Sequence, residues 1–74
     1  MITVFTKDNC VACKMTKNVL NDLGIDFMEI NVDEDLDAFN YLITNNLRTL
    51  PIVEHNNELV AMGFQPQNLK KLKK

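Results

Sequence analysis

Tryptophan is absent from this chain, histidine occurs once, and cysteine, glycine and proline occur twice each among 74 residues. So little glycine and proline leaves no flexible linker or low-complexity segment, and no internal repeat is visible, so residues 1–74 read as one domain. No stretch approaches the ~20 apolar residues needed to span a bilayer. Met1-Ile2-Thr3-Val4-Phe5 carries no charged leader ahead of a long apolar region, so no secretion signal is visible. The expectation is a cytoplasmic protein with no membrane partner. An excess of basic charge is missing as well. Net charge is −2, and the single basic run, Lys70-Lys71-Leu72-Lys73-Lys74, falls at the end of a predicted helix, where it complements the helix dipole. Without a cluster of Lys and Arg to meet phosphates, nucleic acid is not an expected partner.

What is present is an ordinary globular balance, with 46% hydrophobic residues, enough for the modest core of a chain this short. Ile2-Thr3-Val4-Phe5 reads as a strand, being rich in β-branched and aromatic residues. From Val11 the period changes. Ala12, Met15, Val19, Leu20 and Leu23 form a helical stripe, and Gly24 follows it as a helix-ending glycine. Ile25–Val32 is the next strand, most economically parallel to the first through a right-handed crossover. Asp33-Glu34-Asp35 opens a second helix as caps and dipole complements, with Leu36, Phe39 and Ile43 as its core stripe. Asn45-Asn46 stops it, and Leu47 continues the apolar line. Tyr41 falls at the stripe's edge and receives no chemistry. Ile52-Val53-Glu54 and Glu58-Leu59-Val60-Ala61 flank His55-Asn56-Asn57, a hairpin signature because asparagine tolerates positive φ. Pro66 fits the first turn of a last helix carrying Leu69 and Leu72. The order β-α-β-α-β-β-α predicts an α/β fold, a four-stranded mixed sheet with helices on both faces.

Chemistry concentrates in Thr6-Lys7-Asp8-Asn9-Cys10-Val11-Ala12-Cys13-Lys14, between the first strand and the first helix. Cys10 falls at or just before the first helical turn, where free backbone N–H groups and the positive dipole end favour an anion. A thiolate is such an anion and is the form that attacks disulfides; an unperturbed thiol, with a pKa near ~8.5, is ionised only to a few per cent at neutral pH. Lys7 adds a cation upstream. Cys13, one turn on, lies on the same side within disulfide range and is expected to be more buried. The pair therefore suits a division of labour: Cys10 attacks a partner's disulfide and Cys13 releases the reduced partner. Val11 and Ala12 between them contribute no acid or base.

Three other uses of the pair are open. As a structural staple, a bridge from Cys10 to Cys13 closes a tiny loop and restricts the unfolded chain little, and a reducing cytoplasm disfavours it. As a zinc or iron–sulfur site, two cysteines and His55, which sits in a polar hairpin, fall short of four ligands, so two chains would have to share the metal. The third use is a small interaction module with incidental cysteines. Dithiol redox chemistry is the better match for C-x-x-C within a β-α-β pattern. In the second half, Arg48-Thr49-Leu50-Pro51 precedes a strand, and a proline at a strand's first position suits an edge or an exposed chain crossing. A cis Leu50–Pro51 bond would turn the Leu50 backbone outward toward an extended partner segment; a trans proline opening a strand is the commoner arrangement.

F-T-K-D-N-C-V-A-C-K-M-T at the start, T-L-P before the third strand and G-F-Q-P before the last helix resemble the NrdH-type redoxins. These are small glutaredoxin-like proteins of the thioredoxin fold, and the similarity runs along essentially the whole chain. The resemblance implies a monomeric electron donor to the large subunit of a class Ib ribonucleotide reductase. It also implies no bound cofactor, with electrons from NADPH through a flavoprotein, thioredoxin reductase. On this resemblance Cys10 is the nucleophile, Cys13 the resolving cysteine and Pro51 a cis-proline, while Gly63 and Phe64 lie beside the active site. Lys7, Val11 and Leu50 complete the expected docking surface. Relatives usually read W-S-G-F-R-P where this chain has Ala61, Met62 and Gln65 around Gly63-Phe64, and alanine often stands where Leu50 does. Met62, Met15 and Met28 are read as adaptable core or rim packing. Glutathione-dependent glutaredoxins are similar too, but they commonly follow a glycine pair with acidic residues, whereas Gly63-Phe64-Gln65-Pro66 contains no acid.

Overall fold

The computed structural model describes residues 1–72. Lys73 and Lys74 of the expected basic run lie outside the described residues; Lys70 and Lys71 are exposed. The elements are β1 (Ile2–Thr6), α1 (Val11–Asp22), β2 (Phe27–Asn31), α2 (Leu36–Thr44), β3 (Ile52–His55), β4 (Glu58–Met62) and α3 (Pro66–Lys70). The four strands form one sheet in the order β2-β1-β3-β4, with β1 parallel to β2 and β3 antiparallel to both its neighbours.

Alternation along the strands divides the core into two layers. Ile2 and Val4 of β1, Val53 of β3 and Ala61 of β4 pack with Leu20 of α1 and Leu69 of α3. Phe5 and Ile52, pointing the other way, pack with Val32 and with Ala38 and Leu42 of α2. Helices thus cover both faces, α1 and α3 on one and α2 on the other.

Local chemistry sets the element ends. At the end of α1, Gly24 takes φ 70°, its amide bonds the Asn21 carbonyl, and the Ile25 amide reaches back to Leu20 at 3.0 Å. This pair of bonds satisfies carbonyls the helix leaves open. Asn46 repeats the motif after α2 with φ 59°, its amide bonding Ile43 and that of Leu47 bonding Leu42 at 2.8 Å. Asn56 and Asn57, at φ 52° and 69°, form the two-residue turn between β3 and β4, the positive-φ pair that a tight hairpin requires.

Several expectations needed correction. In α2 the buried positions are Ala38 and Leu42, whereas Leu36 is 71%, Phe39 45% and Ile43 44% exposed. Six of its nine residues, Leu36, Ala38, Phe39, Tyr41, Leu42 and Ile43, are apolar or aromatic. Either stripe was therefore available, and contact with the sheet selects the one containing the small Ala38. In α1 the inward line is Cys13, Thr16 and Leu20, and Met15 faces outward. The strand expected over Ile25–Val32 begins only at Phe27, because Ile25 is held in the turn that ends α1. Met15, Met28 and Met62 all lie at the rim. Pro51 is neither exposed nor on an edge; it is buried immediately before the interior strand β3, in a position that needs no ladder donor.

One polar cluster ties three elements together. Thr6 and Lys17 both donate to Oε2 of Glu29, at 2.8 and 3.0 Å. The Lys17 hydrogen bond, followed by that from Thr6, holds the Glu29 carboxyl below its ordinary value of 4.5. Since the folded-state value is the lower one, this contribution to stability is present above pH 4.5 and is lost as pH falls through the folded-state value. Lys17 and Glu29 are about a third exposed, so solvent screening keeps the effect within about 1 kcal/mol. Glu29→Gln is expected to lose stability less steeply than the parent protein below pH 4.5, a difference measurable by urea unfolding across pH and reduced by added salt.

Candidate active site

Strand register brings three chain segments to one end of the sheet. Ile52 at the start of β3 pairs with Phe5 near the end of β1 and with Met62 at the end of β4. The Lys7–Asn9 loop leaving β1, the Leu50–Pro51 segment entering β3 and Gly63–Phe64 leaving β4 consequently share that end.

The loop before the cysteines is held by polar side chains. The Asp8 amide donates to Asp33 Oδ2 at 2.9 Å, Asn31 Nδ2 donates to Asp8 Oδ1 at 2.8 Å, and the Asp33 amide donates to Asn31 Oδ1 at 2.9 Å. Asn9 adopts φ 56°, completing the turn into α1. Of the acids expected to open α2, only Asp35 caps it, accepting from the Ala38 amide at 3.0 Å; Asp33 instead binds the loop beside the cysteines. Sequence reasoning missed this network, because an acid near a helix start reads locally as a cap.

Cys10 is the N-cap of α1, with extended backbone at φ −110°. Its carbonyl accepts the first helical bond, from the Lys14 amide at 3.1 Å, and its Sγ accepts the Cys13 N–H at 3.1 Å. A helix N-cap normally offers a side-chain oxygen at this point; here the acceptor is sulfur. Cys10 and Cys13 are joined as a disulfide, their Cα atoms 5.2 Å apart. Cys13 is 2% exposed and packed inward, while Cys10 is half-buried and Val11 is 72% exposed. Lys7 is exposed and makes no ion pair among the described residues.

Beside this pair, the Leu50–Pro51 peptide bond is cis. Leu50 is half-buried, and its amide and carbonyl carry no hydrogen bond among the described residues. The Pro51 carbonyl accepts the Gly63 amide at 2.8 Å, which binds the two segments together. Gly63 needs its lack of a side chain: φ is 79°, and a Cβ would stand 3.3 Å from Thr49 Cγ2. Gly63→Ala is therefore expected to lower stability by about 1–2 kcal/mol, the cost of a left-handed conformation for an L-residue; a shift of the urea midpoint at constant slope measures it. Phe64 is half-buried. Gln65 Oε1 accepts from the Met62 amide at 3.0 Å and from Asn68 Nδ2 at 3.2 Å.

Tyr41 has more to do than its position at a stripe's edge suggested. Its ring stacks on Phe5 with centroids 5.7 Å apart, and its hydroxyl donates to buried Glu54 at 2.7 Å. That hydrogen bond, with desolvation, holds the phenol above its usual value. The arrangement explains how a carboxylate sits inside the sheet. The period-2 alternation places Glu54 on the Ile52 face, which was the available signal.

Comparison with known proteins agrees with this geometry. The glutaredoxin family model matches residues 2–60. The glutaredoxin-like protein NrdH of Lactococcus lactis subsp. cremoris is 38% identical over 72 residues, spanning 97% of this chain and 99% of that one. The glutaredoxin-like protein NrdH of Escherichia coli K12 is 37% identical over 71 residues, spanning 96% and 86%. The solved structure of NrdH-redoxin from Escherichia coli, whose activity profile is described as thioredoxin-like, superposes with a TM-score of 0.89 at 35% identity over 96% of this chain and 92% of that one. With a thioredoxin/glutaredoxin fold and a Cys-x-x-Cys pair at the start of its first helix, the chain belongs to the glutaredoxin family of thiol–disulfide oxidoreductases, as a glutaredoxin-like redoxin of the NrdH type.

Proposed function

We propose that this redoxin carries two electrons at a time from a flavoprotein dithiol, thioredoxin reductase, to protein disulfides, and that its physiological acceptor is a class Ib ribonucleotide reductase. The observation that supports this most is the asymmetry of the pair. Cys10 Sγ sits at the N-terminus of α1 and receives the Cys13 N–H, whereas Cys13 is nearly inaccessible. On this reading a reduced Cys10 in that place reacts as a thiolate, whose charge the Cys13 amide and the helix dipole stabilise.

Cys10 Sγ attacks one sulfur of the partner disulfide, forming a mixed disulfide and expelling a partner thiolate, which takes up a proton. Cys13 gives up its proton and attacks Cys10 Sγ; the mixed disulfide breaks and the second partner sulfur leaves as a thiolate. The partner has gained two electrons, and the redoxin holds the Cys10–Cys13 disulfide. A dithiol reductase reverses these steps, with NADPH as the ultimate electron source and no cofactor bound to the redoxin. The open Leu50 backbone groups, with exposed Val11 and half-buried Phe64, suit an extended partner segment added alongside Pro51; Lys7 supplies positive charge on the same loop.

The reductant is the discriminating test. Turnover of a disulfide substrate with NADPH and thioredoxin reductase is expected to exceed turnover with glutathione and its reductase. Activity confined to the glutathione arm would replace this reading with that of a glutathione-dependent glutaredoxin. The thioredoxin-like profile of the Escherichia coli relative and the absence of a carboxylate in Gly63–Pro66 both favour the first outcome.

A further inference from the structure

The hydroxyl of Thr16 is a buried polar group without a hydrogen-bond partner among the described residues. Thr16 is 0% exposed and follows Cys13 by one turn on the inward face of α1. Residues three apart on a helix are neighbours, and Cα–Cβ bonds tilt toward the helix N-terminus, which carries the Thr16 side chain back over the turn containing Cys13. A threonine within a helix usually donates to a carbonyl three or four residues back; this one does not. Buried hydroxyls are rarely left unpaired, because the desolvation cost is then uncompensated.

In this structure Cys10 and Cys13 are joined as the disulfide, in which Cys13 has no proton to share. Reduction changes that. The Cys10–Cys13 bond takes two electrons from a dithiol donor, which becomes a disulfide. Cys13 gains a proton, and Cys10 becomes a thiolate or takes a second one. A buried S–H donor then appears, together with a sulfur acceptor. Cys10 Sγ already accepts the Cys13 amide, and the buried Thr6 hydroxyl already donates to Glu29 at 2.8 Å. We propose that Thr16 is a positioning residue that hydrogen-bonds the Cys13 sulfur in the dithiol form alone, and so biases the pair toward reduction. Its unpaired hydroxyl disfavours the disulfide, its bond to sulfur favours the dithiol, and both effects raise the reduction potential. The inference rests on reading Cys10 and Cys13 as the electron-carrying pair.

The test equilibrates wild type, Thr16→Val and Thr16→Ser with buffers of reduced and oxidised glutathione and reads the dithiol fraction by alkylation and mass. Thr16→Val, which keeps the shape and loses the hydroxyl, is expected to shift the equilibrium about tenfold toward the disulfide, a potential about 30 mV more negative. Thr16→Ser should remain within about twofold of wild type. Should the valine variant fold poorly, Thr16→Ala is expected to give the same shift. Urea unfolding of both redox forms supplies the second readout: valine should favour the oxidised form more than the reduced one, by the same factor. A purely structural threonine would alter both forms equally and leave the equilibrium unmoved. That result, a shift of opposite sign, or a serine variant that behaves like valine would overturn the proposal. A wild-type protein that never forms the Cys10–Cys13 disulfide in these buffers would instead overturn the electron-carrier reading beneath it.

Discussion

Cys10→Ser is expected to reduce disulfide turnover to the uncatalysed rate, a loss of at least about a thousandfold, as removal of an attacking group does in other enzymes. A serine hydroxyl on the same helix cap accepts the same amide hydrogen bond, so fold and docking survive while the attacking sulfur is lost. Cys13→Ser has a different expected outcome. Cys10 still attacks, but nothing resolves the adduct, and a mixed disulfide accumulates. Intact mass then rises by that of the substrate half, and peptide mapping places it on Cys10. The contrast between the two variants follows from their unequal exposure, with Cys13 at 2%. Full turnover by Cys10→Ser, or an adduct carried by Cys13 in the wild-type protein, would contradict the division of labour.

The second large effect concerns the fold that supports this site. Leu20 is 0% exposed and packs with Ile2, Val4, Val53, Ala61 and Leu69, joining α1 and α3 to the sheet. Leu20→Ala removes buried methyl groups and leaves a cavity that the neighbours fill only in part, at a cost of about 2–5 kcal/mol. Small domains have total stabilities of about 0.05–0.15 kcal/mol per residue, so this one change removes a large share, and the urea midpoint is expected to fall accordingly. Phe39→Ala provides the comparison. Although Phe39 is the bulkier residue, it is 45% exposed, and its truncation is expected to cost less than about 1 kcal/mol. Equal losses from the two variants would mean that α2 packs on its other stripe.

That comparison bears on how much the sequence disclosed. Element order, the helix stop at Gly24, the asparagine hairpin and the Pro66 helix start were all legible, because each depends on a backbone conformation that few residue types adopt. The position of Cys10 at the start of α1 was legible for the same reason: the change from period 2 to period 3.6 falls between Phe5 and Val11. Tertiary choices were less visible. The phase of α2 was ambiguous where Leu36, Phe39 and Ile43 competed with Ala38 and Leu42, and only the sheet could select. Pro51 looked like an edge residue because sequence alone does not reveal that β3 is interior. Asp33 reads as a helix cap until the Lys7–Asn9 loop is seen folded against it. Thr16 carried no signal, since one threonine in an amphipathic helix is unremarkable until its surroundings are known.

The central claim is that the amides at the start of α1 hold Cys10 as a thiolate. Its most direct test is the rate of iodoacetamide alkylation of the fully reduced protein as a function of pH, with the modified residue identified by mass spectrometry. The account predicts modification at Cys10, with Cys13 protected, and a midpoint well below the ~8.5 of an ordinary thiol. A midpoint at the ordinary value, or first modification at Cys13, would contradict it.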